Sequence, residues 1–310
     1  MLKFIKINIF ILLVFCFPLN AQVFNIPSGE AAKLEGRKLL VVLTDDENSK
    51  SDQLLKKLIP VYWTASEVEF NNSTGVKKLS KTAKKEYITL QFSGEEEPLD
   101  SVTNADRARY LREKKHSKFQ LRLIEQFQRY PMHTFYLNTP YPDETDFIIG
   151  IKLLSSYIKR VSANNAYSDK KIVDAARKRG DTLQSRILLV DSFLVRKPGK
   201  KMPNFSEEYK GQFRLINHAG IDSVLKAGQK DHAYLVIIPY KDILNRGGSF
   251  EGTYGGGMDA FEGEFYYTHA IIDAGTGEFL AFIKNEEPYV EKRNFRQYER
   301  YRKEPDSMFE

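Results

Sequence analysis

Apolar positions along this chain fall into two kinds of run. Lys38-Leu-Leu-Val-Val-Leu43, Tyr87-Ile-Thr-Leu-Gln-Phe92, Arg186-Ile-Leu-Leu-Val190 and Tyr234-Leu-Val-Ile-Ile238 are short and rich in leucine and β-branched residues. Runs of that length bounded by polar residues predict buried strands. The other kind recurs at helical spacing. Leu54, Leu55, Leu58, Ile59, Tyr62 and Trp63 follow a start at Ser51 and Asp52. Phe147, Ile148, Ile151, Leu154, Tyr157, Ile158 and Val161 follow Asp146 and predict a second amphipathic helix.

Between these lie weaker elements in a repeating order. Val68-Glu-Phe70 alternates as a strand, and Val76, Leu79 and Ala83 suit a short basic helix. Later, Phe205 to Tyr209 reads as a helix fragment, Phe213-Arg-Leu-Ile216 as a strand, and Ile221, Val224 and Leu225 as a short helix. The strand Tyr234–Ile238 is expected to stop at Pro239. Leu40 to Ile88 spans 48 residues and Leu188 to Leu235 spans 47. The pattern predicts an α/β fold, with mixed sheets built from two diverged β-α-β-α-β halves. On that alignment Trp63 corresponds to Phe213, and Tyr87 to Tyr234.

Residues 22–165 form the expected amino-terminal half and residues 166–290 the carboxyl-terminal half. Residues 95–130 open with Glu95-Glu-Glu97 and Asp100 and continue as a basic stretch carrying Leu111, Phe119, Leu123, Ile124 and Phe127. They read as an inserted charged helix. His133-Thr-Phe-Tyr-Leu137 predicts a strand, and Lys171 to Arg179 a helix. Phe265 to Ile272 and Phe279 to Ile283 flank Asp273-Ala-Gly-Thr-Gly-Glu278, which predicts a terminal β-hairpin with a tight turn. Gly247 to Gly263 carries seven glycines together with Phe250, Tyr254, Met258 and Phe261. Apolar side chains on such a loop make those four residues the candidate partner-binding set. Residues 291–310 form a tail that interleaves Arg and Lys with Phe295, Tyr298 and Tyr301; it suits a docked helix or arm packed on the body.

The start of the chain changes the picture. Lys3 and Lys6 precede the apolar run Ile9 to Phe17, and Ala21 offers a small residue at a cut. Residues 1–21 therefore read as a cleavable signal peptide, with the mature chain beginning at Gln22. The run is too short for a membrane span of about 20 residues, and no later segment is apolar enough for one. Cys16 is the single cysteine and is expected to leave with the leader, so neither a disulfide nor a thiolate is available afterwards. The formal charge of +6 falls to +4 without Lys3 and Lys6, a weak bias for this length. In an exported protein that bias suits an anionic surface rather than nucleic acid.

Motifs of common chemistries are missing. His116, His133, His218, His232 and His269 show no metal-ligand spacing. Ser249 lies outside any nucleophile elbow, and no phosphate loop occurs. Gly255-x-Gly257-x-x-Ala260 matches a relaxed dinucleotide fingerprint but lacks the strand before it and the helix after it. The acids Asp45-Asp46-Glu47, Glu95 to Glu97 with Asp100, and Asp143-Glu144 with Asp146 could each contribute to a carboxylate pair or a calcium site. The third group also suits a helix start, where acids favour the dipole. No catalytic residue, cofactor or metal site is assigned on this reading.

The core patterns carry one resemblance. The helix Leu54 to Trp63 ending in Tyr62-Trp63, the strand Tyr87 to Leu90, the helix after Asp146, Ile187-Leu-Leu-Val190, His232-Ala-Tyr-Leu-Val-Ile-Ile238 and Tyr267 to Asp273 together resemble a group of exported proteins of Gram-negative bacteria. That group has no assigned activity, so the resemblance implies export and no site residues. The expected location is the periplasm, the outer membrane or the outside of the cell. The absence of motifs points to a non-enzymatic envelope protein that binds a partner or contributes to assembly, the partner being another envelope protein or an anionic surface. The alternative is a carboxylate-based hydrolase acting on an envelope or extracellular polymer, with acids brought together from distant loops.

Overall fold

The computed structural model describes residues 31–46, 48–94, 116–124, 132–164, 169–195, 204–241, 265–285 and 287–303. The leader and the loop bearing Phe250, Tyr254, Met258 and Phe261 lie outside the described residues, as do Glu95 to Glu97, Asp100 and Leu111.

Two five-stranded mixed sheets carry the fold. The first is built from β1 (Lys38–Leu43), β2 (Val68–Asn72), β3 (Tyr87–Ser93), β4 (Lys118–Leu123) and β5 (His133–Tyr136), in the order β2-β1-β3-β4-β5. The second is built from β6 (Ile187–Asp191), β7 (Phe213–Ile216), β8 (His232–Lys241), β9 (Phe265–Asp273) and β10 (Phe279–Asn285), in the order β7-β6-β8-β9-β10. In each sheet the first three strands are parallel and the last two run antiparallel. The expected α/β class, the β-α-β units and the terminal hairpin are all present, and the two windings are the same.

The residue correspondence is different from the one expected. Leu39 pairs with Val68 and Ile88, and Leu188 pairs with Phe213 and Ala233. Phe213 therefore holds the place of Val68, not of Trp63, and Tyr87 matches His232. Spacing misleads because the crossovers differ. The first half uses the helix α1 (Lys50–Tyr62), whereas the described part of the second holds a single 3-10 turn, Phe205–Glu207. Trp63, five residues before β2, is buried, and so is Tyr209, four residues before β7.

Two other expectations are corrected. Residues 118–123 form β4 rather than part of an inserted helix. Phe119, Leu121 and Leu123 alternate with Lys118, Gln120 and Arg122, and only the apolar set is buried. Pro239 does not end β8, which continues to Lys241. Beyond Tyr234, among the described residues, β8 pairs with β9 alone, so a missing N–H there forfeits no bond to β6.

The remaining helices are α2 (Ser73–Lys78), α3 (Lys81–Lys84), α4 (Glu144–Asn164), α5 (Asp169–Arg177), α6 (Gly180–Gln184), α7 (His218–Ala227) and α8 (Lys292–Lys303). The helix expected after Asp146 is α4. It packs on α1 and α7, with Ile148, Ile151, Leu154, Tyr157, Ile158 and Val161 buried. Polar ties run along its length. Glu144 accepts from Lys57 of α1 and Lys226 of α7, Ser155 Oγ accepts from Thr64 N, and Arg160 meets Glu278 in the β9–β10 turn at 2.6 Å. One core spans both halves, while Leu40, Val42, Val76 and Ile124 form a smaller cluster. β1 is buried on both faces because Leu39 and Val41 join the first cluster, and Leu40 and Val42 the second.

The tail is α8, with Phe295, Tyr298 and Tyr301 fully buried. In the terminal hairpin Asp273 Oδ1 accepts from Gly275 N and Thr276 N, and Gly277 adopts φ +71°. Among the described residues no helix is long and apolar enough to cross a membrane.

Candidate functional site

Among the described residues, His218 meets acids from other elements. His133 packs beside the Tyr157 ring, His116 lies against Phe265 and Tyr267, His232 pairs with its neighbour Asp231, and His269 bonds Tyr298. His218 opens α7. Its Nδ1 is 2.8 Å from Asp191 Oδ2, and its Nε2 is 3.2 Å from Asp143 Oδ1 and 3.5 Å from Asp146 Oδ1.

Local sequence places each group. Asp191 ends the apolar strand β6 and turns the chain by accepting from Phe193 N at 2.8 Å. Asn217 caps α7 by accepting from Gly220 N, which leaves the next side chain, His218, free to lean towards β6. Asp143 and Asp146 start α4 reciprocally. Asp143 Oδ1 accepts from Thr145 N and Asp146 N, and Asp146 Oδ2 accepts from Asp143 N. This is a capping box with carboxylates at both corners. The helix-start role expected for these acids is present, and the same carboxylates also reach His218.

The chain leaves β6 for β7 on one side and returns to β8 on the other. Ligands of open α/β sheets bind at such a switch, outside the carboxyl ends of the strands. A cavity of about 70 Å³ lies there, lined by Asp146, Asp191 and His218 and by apolar side chains that include Phe135, Leu137, Ile149, Ile221, Leu235 and Ile237. The matching end of β1 and β3 in the first sheet opens a cavity of about 380 Å³ lined by Thr44, Asp46, Ser51, Asp52, Gln91 and Ser93. Its lining contains no histidine.

The electrostatics follow from burial and crowding. Burial opposes charge on His218, but the Asp146, Asp143 and Asp191 carboxylates outweigh it and raise the pKa of the ring. Burial, and then the neighbouring Asp143, raise that of Asp146, with His218 only partly offsetting them. Among these four groups the carboxylates outnumber the imidazolium three to one.

Asp143, Asp146 and His218 can each offer one ligand atom, and these atoms all lie within 4.8 Å of one another. Two ligands about 2.1 Å from a tetrahedral metal are about 3.4 Å apart. The two Nε2-to-oxygen distances, 3.2 and 3.5 Å, bracket that value. Asp191 on Nδ1 would hold the ring with Nε2 towards an ion that displaces the Nε2 proton, as carboxylates commonly do behind metal-bound histidines. Two oxygens and one nitrogen suit zinc or manganese and leave a coordination position for water or substrate.

Reading by spacing passed over this set because its members come from three separate segments. A usable signal existed: an Asp closing an apolar strand, and a His just after an Asn cap at the end of the next parallel strand. Asp45 and Asp46 stay with the first sheet, Asp46 accepting from Asn48 N. No family model, curated protein or solved structure matches the chain.

Proposed function

We propose that this chain is an exported hydrolase of the carboxylate–histidine type, dependent on a divalent cation and acting on an envelope or extracellular polymer. The observation that carries this reading is the clamped ring of His218. Asp191 holds one nitrogen and Asp143 and Asp146 face the other, beside a cavity at the carboxyl end of β6. A cation held by His218, Asp143 and Asp146 would supply Lewis-acid polarisation of the scissile carbonyl or acetal and acidify water. The protein's own contribution is positional: Asp191 orients the ring, the capping box fixes Asp143 and Asp146, and the apolar wall limits water.

Export is supported by the basic start, the short apolar run and Ala21. The partner-binding alternative follows from the absence of catalytic motifs, with Phe250, Tyr254, Met258 and Phe261, outside the described residues, as its candidate contact set. Among the described residues, the exposed large apolar side chains are Val61, Phe70 and Tyr266, on α1, β2 and β9, and they give that reading no further support.

Titration calorimetry with zinc or manganese chloride, paired with assays on purified envelope polymers, tests the proposal. One equivalent of metal should bind and support turnover, and His218→Ala should lose both. Failure to bind either metal, or unchanged binding in His218→Ala, overturns it.

A further inference from the structure

The first sheet has a switch of its own, away from His218. The chain leaves β1 for β2 on one side and returns to β3 on the other. The cavity of about 380 Å³ at that switch is lined from the carboxyl ends of β1 and β3, from Ser73 just after β2, and from Ser51 and Asp52 in the first turn of α1. Its volume falls within the roughly 300–1,000 Å³ of small-molecule sites, at the low end. That is room for an organic molecule rather than a bare ion.

The polar groups of this lining are only partly used by the protein. Asp52 is 5 % exposed, and its Oδ2 accepts from Thr44 N at 2.8 Å and from Thr44 Oγ1 at 2.7 Å. Its Oδ1 accepts from no described residue and keeps accessible surface. The side chains of Ser73, Gln91 and Ser93 likewise bond no described residue, although Ser73 and Gln91 are half-buried. Four side chains from four segments thus bring unspent donors and acceptors to one space.

Their chemistry narrows the occupant. The described lining holds two carboxylates, Asp46 and Asp52, and no lysine, arginine or histidine, so it opposes an anion. An ammonium group suits the acids but can only donate. It would strip water from the Gln91 N–H and the serine hydroxyl protons and offer them no acceptor. A hydroxyl donates to Asp52 and accepts from Gln91 and the serines. Val42, Leu43 and Phe92 add the apolar surface that the C–H face of a sugar ring covers.

We propose that this cavity binds a neutral saccharide of one or two rings, with Asp52 Oδ1 accepting from a ring hydroxyl and Gln91, Ser73 and Ser93 exchanging hydrogen bonds with others. The inference goes beyond the hydrolase reading and does not rest on it. A free sugar and one unit of a polysaccharide share this chemistry, and the experiment separates them.

Titration calorimetry on the full chain uses glucose, galactose, mannose, N-acetylglucosamine and cellohexaose, with glucuronate and putrescine as charged controls. At least one neutral sugar should bind with one-to-one stoichiometry, about tenfold or more tighter than either control. Tighter binding of the hexaose than of the single rings marks a polysaccharide unit, and the reverse order marks a free sugar. Gln91→Ala and Ser73→Ala should each weaken binding by about three- to tenfold, without moving thermal unfolding of the free protein. Asp52→Asn should weaken it further; should that variant fail to fold, Gln91→Ala and Ser73→Ala still decide. His218→Ala should leave sugar binding as it is. Absence of binding by every neutral sugar, equal binding of putrescine or glucuronate, wild-type affinity in both Gln91→Ala and Ser73→Ala, or loss of binding in His218→Ala overturns the inference. None of these outcomes bears on whether His218 holds a metal.

Discussion

Asp143 Oδ1 caps the first turn of α4 and also lies 3.2 Å from His218 Nε2, a residue 75 positions further along the chain. One carboxylate thus serves a local helix start and a long-range contact. The helix holds the oxygen still at the point where the ring needs it. That arrangement supplies rigidity of the kind a ligand set requires before any ion arrives.

Asp191→Asn separates orientation from ligation. The side chain keeps its shape but loses the charge behind His218 Nδ1. Metal affinity at neutral pH should fall by about 10- to 100-fold, the usual cost of removing such a support, while circular dichroism stays unchanged. Calorimetric titration with zinc chloride checks it; an affinity equal to wild type would show that Asp191 has no part in holding the ring.

Trp63→Ala should cost about 3–5 kcal/mol in urea unfolding, as for other large buried aromatics. The ring is 5 % exposed, and its Nε1 donates to Ser66 Oγ at 3.2 Å. Phe213→Ala should cost less, because Phe213 is only partly buried. Equal losses at the two positions would contradict the burial difference.

Two buried histidines make the fold acid-sensitive. Burial lowers the pKa of His133 and of His269 to about 4. Both are neutral when folded and take up a proton more readily when unfolded. The stability they contribute is therefore full above the ordinary histidine range near 6.5 and is lost as pH falls from there to about 4. Each accounts for about 3 kcal/mol over that window. Glu299 acts lower down. Burial works against its charge, but Arg302, Lys210 N and Lys303 outweigh burial and bring its pKa to about 2, so its contribution persists until pH falls from about 4 towards 2. Urea midpoints measured from pH 8 to 4 should drop mainly below 6.5, and His269→Gln should flatten part of that slope.

Gly228 closes α7 in the left-handed region, at φ +58°, with nothing within 4 Å of an added Cβ. Gly228→Ala therefore meets no steric clash and pays only backbone strain, about 1 kcal/mol. Thermal unfolding would register the loss; a stabilised variant would show that the cap relaxes to another conformation.

Much of the architecture was legible because burial dictates residue type locally. β1, β6 and β8 are apolar enough to stand out, and α4 repeats its apolar face over about four turns. β4 was hidden because Lys118, Gln120 and Arg122 mask the alternation of Phe119, Leu121 and Leu123 within a charged stretch. The match of Trp63 to Phe213 failed because crossover length is free to vary while sheet register is not. The site was harder to read for a related reason. Proximity of Asp143, Asp191 and His218 is a property of winding order, and no fixed sequence interval encodes it.

The long helix α4 joins the two halves, and its first turn supplies two of the three ligand candidates while the third comes from α7 in the second half. An ion at that point would therefore act as a rivet across the seam. Loading it would stiffen the junction as well as equip the chemistry, and slower amide exchange in the first turns of α4 and α7 would be the mark of a loaded molecule.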